Sequence, residues 1–171
     1  MLQPQSDNFT LQHIFRKPGL YSKITLILST WFGTGLLPVA PGTFGTLGAI
    51  PIILVSDGLG IPYKILILII ITAAAIWTSG SAQVLLGRND PPEVVIDEVA
   101  GFLFMLFLPL SWTALGLGFI LFRVFDILKP YPIKKVEKLQ GGFGIVFDDL
   151  LAGVYAYLCF NIIFYIFPSL F

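Results

Sequence analysis

Cysteine and histidine each occur once in this 171-residue sequence, and charged residues make up only 12% of it. The single cysteine, Cys159, cannot close an intramolecular disulfide. Its place in the apolar stretch 154–167 fits a buried thiol with no basic loop to activate it. The single histidine, His13, sits in a polar N-terminal stretch, where it fits a solvated surface role and leaves no second imidazole for paired-histidine chemistry. Ten basic and ten acidic residues cancel to zero net charge, which removes the electrostatic footprint of a nucleic-acid binder. No small-residue cleavage site follows a compact apolar core near the N-terminus, so that stretch is expected to be retained rather than cleaved. No charged or Ser/Gly-rich linker and no internal repeat divides the chain. The expected organisation is a polar cytoplasmic segment, 1–23, followed by one membrane-embedded domain, 24–171.

What the sequence has is apolar surface: 56% of it is hydrophobic and the mean hydropathy is +0.89, well above an ordinary soluble domain. Apolar stretches such as 65–77 and 101–110 approach the length needed to cross roughly 30 Å of hydrocarbon. Backbone amides at membrane depth must be bonded internally, so these runs are predicted to be helices. Breakers at 38–48, 57–62, 87–92, 109–111 and 129–144 leave predicted helices at 46–56, 63–86, 94–108, 112–128 and 145–167. The fold class is therefore all-α, a multi-pass transmembrane bundle of about five spans. Pro109, with the Leu-Ser-Trp that follows, favours a turn between the third and fourth helices. That split puts Arg16, Lys17 and Lys23 on the same side as Lys129, Lys134, Lys135 and Lys138, the expected cytoplasmic side. Residues 21–37, interrupted by Gly33 and Gly35, are expected to form a re-entrant or interfacial helix.

Charge is expensive near hydrocarbon, so its placement is informative. Five of the ten acids fall in three short windows: Asp97 with Glu98, Asp126 alone, and Asp148 with Asp149. The topology above brings all three to one membrane face. Acids at helix N-termini meet a favourable macrodipole, which accounts for either pair alone. It does not account for Asp126, predicted in the last turn of a helix. Clustered carboxylates repel one another unless a cation or basic partners neutralise them. Magnesium suits such a site, being held by a few carboxylates together with substrate phosphate oxygens.

Basic residues are interleaved with these acids. Arg123 and Asp126 lie one helical turn apart, and Lys129 one further turn along, so they form either a structural salt bridge with a snorkelling lysine or a cationic clamp for phosphate. The stretch Gln140-Gly-Gly-Phe-Gly144, ahead of a helix, and Ala40-Pro-Gly-Thr43-Phe-Gly45-Thr46 both offer exposed amides to an anion. Thr43 equally suits an N-cap. With histidine and cysteine routes unsupported, carboxylate and metal chemistry on a phosphate is what the residues favour.

The windows Ala40-Pro-Gly-Thr-Phe-Gly45, Ile96-Asp97-Glu98, Phe122-Arg123 through Pro132-Ile133, and Gly141-Gly142 through Ala152-Gly153 together resemble the phosphatidylglycerophosphatase A family. The resemblance runs from about residue 33 to residue 153. It implies magnesium-dependent removal of the terminal phosphate of phosphatidylglycerophosphate, giving phosphatidylglycerol, at the bacterial inner membrane with the site on the cytoplasmic face. By that resemblance Asp97, Glu98, Asp126, Asp148 and Asp149 form the acidic catalytic and metal-binding set, with Arg123 and Lys129 contacting phosphate. Within the set we expect Asp97, as nucleophile or base, Asp126 and Asp148 to be catalytic, and Asp97, Glu98 and Asp149 to be metal ligands. Thr43, Arg123, Lys129, Lys134 and Gly142 are the substrate-binding candidates. Tyr131 stands where family members often have Trp, and Lys134 where they often have Arg. The alternative is an ion-coupled transporter, since carboxylates and broken helices also mark transport sites. Against it, the acids fall at predicted span ends rather than at the midplane.

Overall fold

The computed structural model describes residues 19–170, and every regular element among them is helical. In chain order these are α1 (Leu20–Ser29), a 3-10 turn (Thr34–Leu36), α2 (Pro41–Gly48), α3 (Ile50–Val55) and α4 (Ile61–Leu86). Then come α5 (Ile96–Phe102), which continues as a 3-10 turn (Leu103–Phe107), α6 (Trp112–Leu128), α7 (Ile133–Val136), α8 (Gly142–Ile166) and a final 3-10 turn (Pro168–Leu170). His13, Arg16 and Lys17 lie outside the described residues. Lys23 belongs to α1, so the segment boundary expected at residue 23 falls inside a helix.

Local chemistry explains most of the helix ends. Proline is well placed in a first turn, where its missing N–H has no intrahelical partner and its φ is already helical. Pro41 opens α2 in this way and Pro62 lies in the first turn of α4. The stretch 38–48, expected as a breaker, therefore contains a helix start. Gly87 ends α4 in the left-handed region at φ 66°, which glycine adopts without strain. Ser111 caps α6, its side chain accepting a hydrogen bond from the Ala114 amide at 3.0 Å.

Among the described residues, two helices are long and apolar enough to cross a membrane: α4 with 26 residues and α8 with 25. At 1.5 Å per residue each exceeds roughly 30 Å. The expectation of about five spans is not met on length. The run 94–108 gives only the seven residues of α5 before tightening into a 3-10 turn. Its apolarity has another cause, since Ile96, Val99, Ala100, Phe102, Leu103, Met105 and Leu106 are all buried by protein. An element apolar on every side suits a protein core as well as a bilayer. The 21–37 segment forms the ten-residue α1 and a short 3-10 turn, too short a helix to cross.

The core forms where α8 packs against α4, α5 and α6. Phe102, Phe122 and Phe160, one from each of α5, α6 and α8, are fully buried. Close approach of α5 and α8 depends on glycine. A Cβ on Gly153 would run into the Gly101 carbonyl, and one on Gly101 would sit 2.5 Å from the Asp149 carbonyl oxygen. By contrast, Ile65, Leu66, Ile69 and Ile70 of α4 and Leu158, Ile162 and Tyr165 of α8 are exposed. Contiguous exposed apolar surface marks contact with a membrane or another protein. Cys159, expected to be buried, is half-buried on α8.

Candidate active site

The C-terminal ends of α4 and α6, the first turns of α8 and the start of α5 converge at one end of the bundle. Asp97 and Glu98 lie in the first turn of α5, held in place by the glycines that let α2 and α8 close around it. Gly45 packs on Val95, and Gly42 sits so close to Glu98 that a Cβ there would strike Glu98 Oε1. Asp148 and Asp149 lie in the second turn of α8, because that helix begins at Gly142 rather than at the expected residue 145. They therefore lie further from the positive end of the helix dipole than their expected place at its start.

Carboxylate oxygens of Asp97, Glu98 and Asp149 lie within 4.8 Å of one another. Asp97 and Asp149 are buried and Glu98 nearly so. The neighbouring cations are largely committed elsewhere. Arg123 pairs with Asp126, Nη1 to Oδ2 at 2.7 Å, and stands 4.0 Å from Glu98 Oε1. Lys129 donates to Asp148 Oδ2 at 2.7 Å and to Glu137 Oε1 at 2.9 Å. Asp97 Oδ1 and Glu98 Oε2 are buried with no hydrogen-bond partner among the described residues. Buried anionic oxygens without donors are strongly unfavourable unless a cation completes them. The donor set is all oxygen, which fits a hard divalent ion such as magnesium rather than a soft metal.

Lys129 ends α6 in the left-handed region at φ 42°, a conformation uncommon for a side chain of this kind. Burial alone would lower its pKa, but the hydrogen bonds to Asp148 and Glu137 prevail and raise it above the ordinary lysine value. Beside this pair opens a cleft of about 450 Å³ lined by Gln83, Asn89, Asp90, Glu137, Gln140 and Asp148, among others. Desolvation raises the Asp90 carboxyl above its ordinary range; Lys129 pulls against this, while Glu137 and Asp126 add to it. The loop carrying Asp90 is strapped by Arg88, whose Nη2 lies 2.7 Å from both Glu93 oxygens.

The family model of phosphatidylglycerophosphatase A matches residues 27–164. The chain belongs to the phosphatidylglycerophosphatase A family. Membership makes it a phosphatase. It is similar to the phosphatidylglycerophosphatase A of Haemophilus influenzae, 38% identical over 134 residues, covering 76% of this chain and 82% of the relative. The phosphatidylglycerophosphatase A of Escherichia coli K12 is 35% identical over 133 residues, 75% of this chain and 76% of the relative. A Bacteroides thetaiotaomicron protein provisionally named as a phosphatidylinositol-3-phosphatase is 36% identical over 148 residues, 80% of this chain and 91% of the relative. No solved structure matches the chain.

In this member of the family the expected acids Asp97, Glu98, Asp126, Asp148 and Asp149 do converge, together with Arg123 and Lys129. Other candidates stand apart. Thr43 lies within the first turn of α2 instead of in a loop, and its hydroxyl bonds to no described residue. Thr46 is the hydroxyl that reaches the site, donating to the Gly42 carbonyl at 2.8 Å and lying 3.5 Å from Arg123 Nη1. Lys134 is exposed and pairs with no described residue. Gly142 is a contact between α8 and α4, where a Cβ would collide with the Ile76 carbonyl.

Gly42, Asp90 and Glu137 are absent from the expected site. Gly42 stood inside a motif noted for its amides. Asp90 and Glu137 fall in the breaker stretches 87–92 and 129–144, where nothing local marks an acid as part of a site.

Proposed function

We propose that this chain hydrolyses phosphatidylglycerophosphate to phosphatidylglycerol and inorganic phosphate, with Asp97, Glu98 and Asp149 holding a magnesium ion. The single observation carrying the reading is the buried trio of carboxylates with two partnerless oxygens, Asp97 Oδ1 and Glu98 Oε2. So much negative charge would repel a phosphate monoester in the absence of a cation. Magnesium bound there supplies positive charge that draws electron density from the phosphoryl group.

The chain's own residues do the rest. Asp126 fixes the Arg123 guanidinium, whose planar fork suits two phosphoryl oxygens. Asp148 and Glu137 hold Lys129, so Asp148 acts as a positioning residue for that ammonium. Asp97 takes a proton from the attacking water, the oxygen of that water bonds to phosphorus as the phosphorus–oxygen ester bond breaks, and Asp97 returns the proton to the departing alcohol oxygen. The exposed apolar faces of α4 and α8 lie in the bacterial inner membrane. Lys134 and Lys135 on α7, and Lys138 just after it, lie at its cytoplasmic surface, where they meet anionic lipid headgroups.

The test is phosphate release by detergent-purified protein from phosphatidylglycerophosphate, with magnesium and with excess chelator. Phosphatidate and phosphatidylinositol 3-phosphate serve as competing lipids. Magnesium-dependent release selective for phosphatidylglycerophosphate supports the reading. Preference for phosphatidylinositol 3-phosphate would move the substrate to the one in the Bacteroides relative's name. No release from any of the three by folded protein would overturn it in favour of the transport alternative.

A further inference from the structure

The cleft beside Lys129 is separate from the carboxylate trio yet shares a wall with it, because Asp148 lines the cleft and the next residue, Asp149, belongs to the trio. Its polar walls come from four parts of the chain: Gln83 on α4, Asn89 and Asp90 on the loop after it, the segment from Glu137 to Gly141 before α8, and Asp148 on α8. Gln83 is fixed there, its Nε2 donating to the Asn89 carbonyl at 2.8 Å. The Asp90 carboxylate and the Gln140 amide bond to no described residue and stand free at the cleft.

These groups do not make a phosphate pocket. Three acids, Asp90, Glu137 and Asp148, line the cleft against one lysine, Lys138, and the neighbouring Lys129 is already shared by two of the three acids. The one free carboxylate, that of Asp90, is instead the chemistry that accepts a strong, charge-assisted hydrogen bond from an alcohol hydroxyl, stronger than a neutral amide accepts. Leu139, which lines the cleft, and Val84 and Phe143, next to cleft residues in the chain, expose apolar side chains. A polar cleft bordered by apolar side chains suits an amphiphile.

We propose that this cleft binds the hydroxyl-bearing alcohol portion of the lipid headgroup that adjoins the reacting phosphate, with Asp90 accepting a hydrogen bond from that hydroxyl. Asp90 is thereby a specificity-determining residue, favouring phosphorylated polyol headgroups over phosphate monoesters that carry no neighbouring hydroxyl. The inference rests on the phosphatase reading above and assigns a second region of the same site.

The experiment is a cycle of two enzymes and two lipids. Wild type and Asp90→Asn are each given phosphatidylglycerophosphate and its analogue lacking the free glycerol hydroxyl, and kcat/KM is measured for all four combinations. A hydrogen bond from a hydroxyl to a charged acceptor corresponds to roughly a tenfold to hundredfold preference. Wild type is expected to favour the hydroxylated lipid by about that factor. Asp90→Asn should lose most of the preference by falling on the hydroxylated lipid, while its rate on the deoxy analogue stays near that of wild type. Equal losses on both lipids would mean a merely structural role and overturn the inference, as would a wild type that does not distinguish them. Gln140→Ala, on the segment before α8, supplies a second variant should Asp90→Asn fold poorly, and is expected to narrow the preference in the same way. Wild type inactive on both lipids would overturn the phosphatase reading and this inference with it, whereas activity without discrimination overturns this inference alone.

Discussion

Replacing Gly42 with alanine separates the packing of the fold from the geometry of the site. Gly42 is the second residue of α2, with ordinary helical backbone, so alanine is tolerated there and helix propensity favours it by at most about 1 kcal/mol. The added methyl would strike Glu98 Oε1 and lie 3.2 Å from Arg123 Nη1. Both neighbours are tips of flexible side chains, and Glu98 Oε2 has no hydrogen bond to lose. The Glu98 carboxylate therefore moves by roughly an ångström at small cost to folding, and the net change in stability is within about 1 kcal/mol of zero. Displacement by about 1 Å at a reacting centre costs roughly a hundredfold in rate. The assay is magnesium-dependent phosphate release from phosphatidylglycerophosphate in detergent, with a thermal melt of the same preparation. The expected result is a melting temperature near that of wild type with kcat about a hundredfold lower. A kcat within threefold of wild type, at unchanged melting temperature, would refute the placement of Glu98 in the catalytic machinery.

Asp97→Asn keeps shape while removing charge from an oxygen set that has no hydrogen-bond donor, so the protein is expected to express and melt normally while turnover falls at least about 100-fold; normal turnover would remove Asp97 from the mechanism. Gly153→Ala forces a methyl into the Gly101 carbonyl and the Phe104 ring, and overpacking of this kind destabilises by about 1–3 kcal/mol, read as a lower melting temperature. An unchanged melt would mean that α5 and α8 do not approach as closely as described. Lys129 carries a pKa raised above its ordinary 10.5, so its contribution to stability is fully present below that value and is lost only as pH climbs through the higher folded-state value. The gap in melting temperature between wild type and Lys129→Met is therefore expected to stay constant from about pH 7 to pH 9. A gap that closes within that window would show that the ammonium is not held by Asp148 and Glu137.

Hydropathy and chain breakers are local properties, and they located the long helices well. The predicted 112–128 coincides with α6, and 63–86 falls within two residues of α4. They also located the acids worth watching. Charge in so apolar a chain is rare and must be neutralised somewhere, whatever the packing. The same signal failed at 94–108, because a run of apolar residues reads alike whether lipid or protein covers it. Neighbouring helices cover it here, leaving α5 short and deeply packed.

Which oxygens meet was decided by tertiary structure. Asp97 and Asp149 are far apart in the chain, and nothing local brings them together. Gly101 and Gly153 let two backbones touch, and only then do the carboxylates fall within 4.8 Å. Asp90 and Glu137 likewise became visible only once the loops after α4 and before α8 formed one cleft. The sequence by itself determined the helical class, the family motifs and the residue types able to hold a cation and a phosphate. The pairing of Arg123 with Asp126 is local, one helical turn apart, whereas the pairing of Lys129 with Asp148 and the two oxygens left without partners came from packing, because distance between remote side chains is set by how closely helices approach.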